Sequence, residues 1–475
     1  MNSLDLAFTP ALTLAKSIRD RQISPLELTQ VYLDRIEQYD PQLGSFFHVA
    51  AETALNDAKN KTEQLANTPN INHLPPFFGV PTAIKDLNAV AGMPLTYGVA
   101  ALKNNIATYD DGIVMRLKGA GCIILGKTAT SELGSFPYTE PPGFLPTRNP
   151  WHLDYTSGGS SGGSSAAVAA GLCAIAQGSD GGGSIRGPAA CCGLVGIKPA
   201  KGRVSHAPVG DYQSGISVNG PLTRTVADGA ALLDVMSGYI TGDPYWLPDP
   251  EISFLAATQQ ISTPLKIAFS DTLPPFNETE VIVKDAVQKA AKLLEEMGHH
   301  LEVHYPNVEP LIKPFTRIWQ AGVNAARLPD EALSSMNCWL KEQAGTIGDY
   351  LQAVHQMQIF SRQLVAFFDQ FDVLLLPVYL HQPIKVGAWA NLSPEETLTN
   401  IINWVAPCPA FNASGLPAIS LPVTQDENGL PVGIQLIGKP ADELTLISLA
   451  SQLEMAINSS LFKPQNLPIG SSRLG

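Results

Sequence analysis

The sequence predicts an α/β protein built on one large β-sheet covered by helices, and three observations predict it. Short apolar runs of strand character alternate with helical stripes along the chain, and one such alternation closes a complete βαβ unit. No change of composition divides the 475 residues into separate blocks. Hydrophobic residues at 45% against 15% charged can bury a large core, which excludes a disordered or fibrous chain.

The elements follow in order. Ser24, Pro25 and Glu27 supply an N-cap, a first-turn proline and a capping-box acid, and Leu28, Val31, Tyr32 and Ile36 then repeat on one helical face. Residues 77–84 read as a buried strand that delivers Lys85 and Asp86 at its end, and residues 122–125 as a second strand. Residues 166–176 suit a helix packed inside the protein, being far shorter than the ~18 apolar residues a membrane span needs. Residues 265–269 form a strand. Val283, Ala286, Val287, Ala290, Leu294 and Met297 then form a helical stripe stopped by Gly298, and residues 300–304 resume as a strand, completing the βαβ unit. Further strands are predicted at 373–376, 418–423 and 432–437, and Leu446, Ala450 and Leu453 mark a closing helix. The Pro- and Gly-rich stretch 242–250 reads as a linker or surface excursion.

Charge and cysteine usage narrow the function. A net charge of −13 with no basic stripe argues against a nucleic-acid surface, because neutralising phosphates requires one. The six cysteines are scattered, Cys191 and Cys192 are adjacent, and no CxxC or HExxH appears, so reduced thiols and no metal or cofactor are expected. With no secretory signal and no membrane span in view, the expected location is cytoplasmic.

Two segments stand apart: residues 158–165, GGSSGGSS, and residues 178–188, GSDGGGSIRGP. Their apolar flanks disfavour a flexible linker, and neither carries GxxxxGK[ST] or a strand-to-helix GxGxxG that would cradle phosphate. The functional reading is that Gly181, Gly182, Gly183 and Ser184 form a bend whose backbone N–H groups converge as an oxyanion hole, with the Ser184 hydroxyl presented there. A serine needs a base within reach. None of the nine histidines sits in a nucleophile elbow, and His299, His300 and His304 read as solvated or core residues. Lys85 is the other candidate base, since a charged amine is expensive beside an apolar strand. A lysine at a strand end is more often a surface residue, so the residues alone leave both readings open.

GGSSGGSSAAVAAG followed by GSDGGGSIRGPAACCGLVGIKP, with GVPTAIKD upstream, resembles the amidase signature family. The similarity extends through SPLEL, GCIILGKT, TRNPWHLD, GPLTRTVAD, FNASGLPAISLPV and GLPVGIQLIG, and so covers most of the chain. The resemblance implies a single α/β domain over residues 1–475, its large mixed, twisted sheet covered by helices on both faces. Within it, a helical region about 1–70 precedes a catalytic core about 71–240 and a specificity and C-terminal sheet region about 260–460. It further implies Ser184 as nucleophile, Ser160 after a cis peptide as proton bridge, and Lys85 as base, hydrolysing a small-molecule amide through an acyl-enzyme. No cofactor, nucleic-acid contact or membrane is implied, and a homodimer is among the assemblies open to it.

Ser161 resembles a supporting residue, and Asp180 with Arg186 reads as an ion pair bracing the loop. Gly181 stands where many members carry a larger residue, implying a roomier oxyanion loop. Trp319, Trp339, Trp404 and Cys408 fall in the expected specificity regions and point to an apolar pocket, unless they are core. Two rival readings are the amidase subunit of glutamyl-tRNA amidotransferase, whose glutamine-handling stretch is not matched here, and a non-catalytic scaffold, which intact reactive positions disfavour.

Overall fold

The computed structural model describes residues 3–210, 213–261, 263–457 and 464. Its strands, in chain order, are β1 (Phe46–Val49), β2 (Pro81–Lys85), β3 (Ile123–Thr128), β4 (Arg148–Asn149), β5 (His152–Thr156), β6 (Ile175–Asp180) and β7 (Val195–Lys198). They continue with β8 (Val218–Thr223), β9 (Lys266–Phe269), β10 (His300–Val303), β11 (Val373–Pro377), β12 (Ala418–Gln425) and β13 (Pro431–Gly438). Eleven of them form one sheet in the order β1-β3-β2-β6-β8-β7-β12-β13-β11-β9-β10, while β4 and β5 pair separately. The sheet is mixed: β2 lies parallel to both β3 and β6, β9 is parallel to β10 and β11, and the neighbours in between run antiparallel.

Helices cover both faces, as strand alternation requires. Val373 and Leu375 of β11 enter one hydrophobic core with the helix Val281–Glu296, while Leu374 and Leu376 enter another with the helix Ile347–Phe367. Along β13, Gly433 abuts Ala190 and Gly438 abuts Leu446, five residues on and therefore on the opposite face. The predicted capping box forms, with Ser24 and Glu27 opening the helix Pro25–Leu43. The predicted βαβ unit is β9, Val281–Glu296 and β10.

One expectation is corrected. Residues 166–176 are not one helix: the helix Gly162–Ala169 ends there, a turn at Gly171 reverses the chain, and β6 begins at Ile175. The apolar run is a buried helix end followed by a buried strand, which periodicity alone does not separate. Residues 242–250 run over the surface without helix or strand.

Candidate active site

Because β2 and β6 are parallel neighbours, with Ile84 opposite Gln177, their C-terminal ends lie side by side. That register brings Lys85, the last residue of β2, against Ser179 and Asp180, the last two of β6. Gln177 fixes it further, accepting the Lys85 backbone N–H at 3.0 Å. The Lys85 Nζ lies 2.7 Å from Ser160 Oγ, 3.0 Å from Ser179 Oγ and 3.4 Å from the Ser179 carbonyl. The side chain is fully buried. Burial pushes its ammonium down from 10.5 to about 7, against the pull of the Asp180 carboxylate.

The peptide between Gly159 and Ser160 is cis. The following residues open the helix Gly162–Ala169, buried on every side. Its glycines allow that: a Cβ on Gly163 would stand 2.3 Å from the Ala129 nitrogen and 2.5 Å from the Ser45 carbonyl. Ser161 supports both serines. Its hydroxyl donates to the Ser179 carbonyl at 3.1 Å, and its N–H donates to the Ser184 carbonyl at 3.3 Å. The Ser184 hydroxyl itself makes no hydrogen bond among the described residues, so the link from Ser160 to Ser184 is open in this geometry.

The bend between β6 and the helix Arg186–Cys192 is organised by Asp180. Its carboxylate accepts the N–H groups of Gly183 at 2.7 Å, Ile185 at 3.0 Å and Arg186 at 3.3 Å. It also pairs with the Arg186 guanidinium at 3.1 Å, both groups being fully buried. Arg186 is held in turn by Asn412 Oδ1 at 2.6 Å and Gln435 Oε1 at 2.8 Å, and Asn412 donates to the Asp180 carbonyl at 2.8 Å. Burial alone would raise the Asp180 pKa, but Arg186, Lys198 and Asn412 outweigh it and hold the carboxyl well below the usual range. The bracing ion pair expected between Asp180 and Arg186 is therefore present.

The expected oxyanion donors need correcting at Gly183, whose N–H is committed to Asp180. The N–H groups of Gly181, Gly182 and Ser184 have no hydrogen-bond partner among the described residues. The roomier loop expected at Gly181 is not found either. A Cβ there would lie 3.3 Å from the Trp319 ring, so the indole takes up the space.

Gly159, Gly182, Gly183 and Ser184 line one end of a cavity of about 940 Å³, counting its open mouth. The remaining wall is mainly apolar, led by Phe276, Leu311, Phe315, Trp319, Leu340 and Ile402, and among the described residues it carries no charged side chain. Of the four residues expected there, Trp319 lines the cavity. Trp404 is fully buried behind Tyr379, with ring centroids 4.6 Å apart, and Trp339 joins a cluster with Met336 and Leu340. Cys408 packs beneath Gly183, where a Cβ would meet its own at 2.9 Å.

Amidase is the family whose model matches, over residues 27–447. The chain belongs to the amidase signature family. A protein of Synechocystis sp. named "Putative amidase" is 58% identical over 465 residues, covering 98% of this chain and 91% of that protein. Among solved structures, 6-aminohexanoate cyclic dimer hydrolase complexed with substrate superposes with a TM-score of 0.91 at 27% identity, covering 97% of this chain and 100% of that one. A bacterial aryl acylamidase of the same family superposes with a TM-score of 0.85 at 27% identity, covering 95% and 98%. The enzyme is accordingly an amidase, a hydrolase of carbon–nitrogen bonds. Among the described residues no helix is long and apolar enough to cross a membrane, and no cluster of three His, Cys, Asp or Glu is placed to hold a metal ion.

Sequence reasoning had Lys85, Ser160 and Ser184 but missed Ser179, Gln177, Asn412 and Gln435. Asn412 and Gln435 stand inside the FNASG and GLPVGIQLIG segments, so the signal was present without a role attached.

Proposed function

We propose that the enzyme hydrolyses a carboxamide to a carboxylate and ammonia or an amine through an acyl-enzyme on Ser184. The observation that carries this reading is the neutral-capable Lys85, buried 2.7 Å from Ser160 beside the Ser184 bend. A neutral amine has two N–H groups and one lone pair. Facing Lys85 are two acceptors on Ser179, its hydroxyl and carbonyl oxygens, and the Ser160 hydroxyl. With both N–H groups donated to Ser179, the lone pair is left for the Ser160 proton.

Ser184 Oγ attacks the carbonyl carbon after a rotation of its side chain toward Ser160. Its proton passes to Ser160 Oγ as the Ser160 proton passes to Lys85. The oxyanion is received by the free N–H groups of Gly181, Gly182 and Ser184, where losing one donor typically costs about 2.7 to 4 kcal/mol of transition-state stabilisation. Reversal of the relay protonates the leaving nitrogen as the C–N bond breaks. Water then attacks the ester by the same route, releasing the acid and restoring Ser184.

An uncharged, aromatic-walled cavity at Ser184 favours an apolar acyl group. Free glutamine would bring an ammonium and a carboxylate against a wall with no charged partner, which argues against the amidotransferase-subunit reading. A fluorophosphonate probe should label a single peptide, the one containing Ser184, and labelling should vanish in Ser184→Ala. Label on Ser160, or label that persists in the variant, refutes the assignment.

A further inference from the structure

A second cavity, about 1440 Å³ with its mouth, adjoins the first at Ser135, which lines both. The helix Ile312–Ala325 passes between them, with Trp319 on the apolar side and Gly322 and Val323 on the other. This cavity is more polar than the first: Asn88, Asp111, His206, Ser217 and Asn219 line it beside apolar residues such as Leu87, Ile113 and Leu133.

Hydrogen bonds orient several of its polar groups, and three polar atoms have no partner among the described residues. Gln177 Nε2 donates to Asn88 Oδ1 and to Asn219 Oδ1, each at 2.9 Å, which turns both amide nitrogens away from it. Asn88 Nδ2 is used by Asp111 Oδ2 at 2.9 Å, whereas Asn219 Nδ2 makes no hydrogen bond among the described residues. Asp111 Oδ2 also accepts the Ala89 N–H at 3.0 Å, but Asp111 Oδ1 has no partner, although the residue is only 6% exposed. His206 Nε2 donates to the Ser217 carbonyl at 3.0 Å, and Nδ1 makes no hydrogen bond among the described residues. A half-satisfied buried carboxylate is costly without a further donor. The same Gln177 that orients the two asparagines also holds the Lys85 backbone, so the cavity floor and the base share one anchor.

We propose that this second cavity is a site for a cationic amine, the amine half of the substrate, with Asp111 Oδ1 accepting from an ammonium group. The assignment rests on the acyl-enzyme reading, in which the acyl group occupies the apolar cavity and the leaving nitrogen emerges beside Ser135. It narrows the substrate class to amides joining an apolar acid to an amine that bears a second, protonated nitrogen.

The test compares monohexanoyl diaminobutane with N-pentylhexanamide, which replaces the terminal ammonium by a methyl group. The expected kcat/KM preference for the cationic amide is about tenfold or more, the range of one charged hydrogen bond. Asp111→Asn should bring the ratio of the two kcat/KM values close to one. Should Asp111→Asn fold poorly, Ala326→Phe, which fills the cavity from the end of its helix wall, should give the same loss. Binding of free diaminobutane to Ser184→Ala, read by calorimetry, separates the two readings. Turnover of both amides at equal efficiency with no diamine binding overturns the cationic site and leaves the amidase mechanism intact. Asp111-dependent diamine binding without turnover of either amide supports a cation site but overturns its assignment to the amine half of the substrate, while fluorophosphonate labelling of Ser184 tests the acyl-enzyme separately.

Discussion

Replacing Lys85 by Met tests the charge state on which the relay depends, because Met keeps most of the volume and binds no proton. In the folded protein burial sets the Lys85 pKa at about 7, against 10.5 for an ordinary lysine. The unfolded chain thus binds the proton more tightly, and stability is lost at low pH and recovered as pH rises from 7 toward 10.5. The linkage integral gives a penalty of roughly 4 to 5 kcal/mol at pH 6.5 and roughly 1 to 2 at pH 9.5, a difference of about 3. Met also orphans Ser160 Oγ and Ser179 Oγ, costing about 1 to 3 kcal/mol without pH dependence. Lys85→Met should therefore be more stable than wild type at pH 6.5 and about equal to it at pH 9.5, while lacking turnover at both. Lys85→Arg stays charged and should gain nothing. Urea unfolding at the two pH values provides the measurement. A stability difference that does not change with pH, or substantial turnover by Lys85→Met, refutes the neutral-lysine base.

Other substitutions probe the surroundings. Arg186→Met leaves the Asp180 carboxylate buried without its counter-charge and should cost about 3 to 5 kcal/mol, read by urea unfolding, with kcat falling as the bend loosens. Gly183 has φ +123° and a Cβ would crowd Cys408, so Gly183→Ala should lose about 1 to 3 kcal/mol and most activity, read by thermal melts and initial rates. Glu454 has its pKa raised to about 7 by burial, and the Asp228 charge adds to the shift; it accepts the Val226 N–H, which Gln could still do. Here the folded state binds the proton more tightly, so stability falls as pH rises from about 4.5 to about 7. Glu454→Gln should match wild type near pH 4 and exceed it above pH 7 by up to about 3 kcal/mol, less what solvent screening removes. Equal melting temperatures across that range would exclude the assigned ionisation.

What could be read in the sequence, and what could not, divides by whether the information is local. Strand and helix identity followed from short-range pattern, so β9, the helix Val281–Glu296 and β10 came out in order. The run 166–176 failed because Ala and Gly suit a buried helix end and a buried strand start equally. At the site, Gly-rich segments announced a tight bend, but the fate of each N–H depends on a carboxylate placed by the sheet. Asp180 could be paired with Arg186 from proximity in the chain, whereas its claim on Gly183 depends on where the fold turns the carboxylate. The cross-chain braces are less local still: Asn412 reaches Asp180 across 232 positions and Gln435 reaches Arg186 across 249. Polar side chains acquire a role only when topology supplies the partner, as with Gln177, which joins the base to Asn88 and Asn219. The residues that define a reaction type can thus be legible as motifs, while the second cavity is walled by β8 and the helix Ile312–Ala325, distant in sequence.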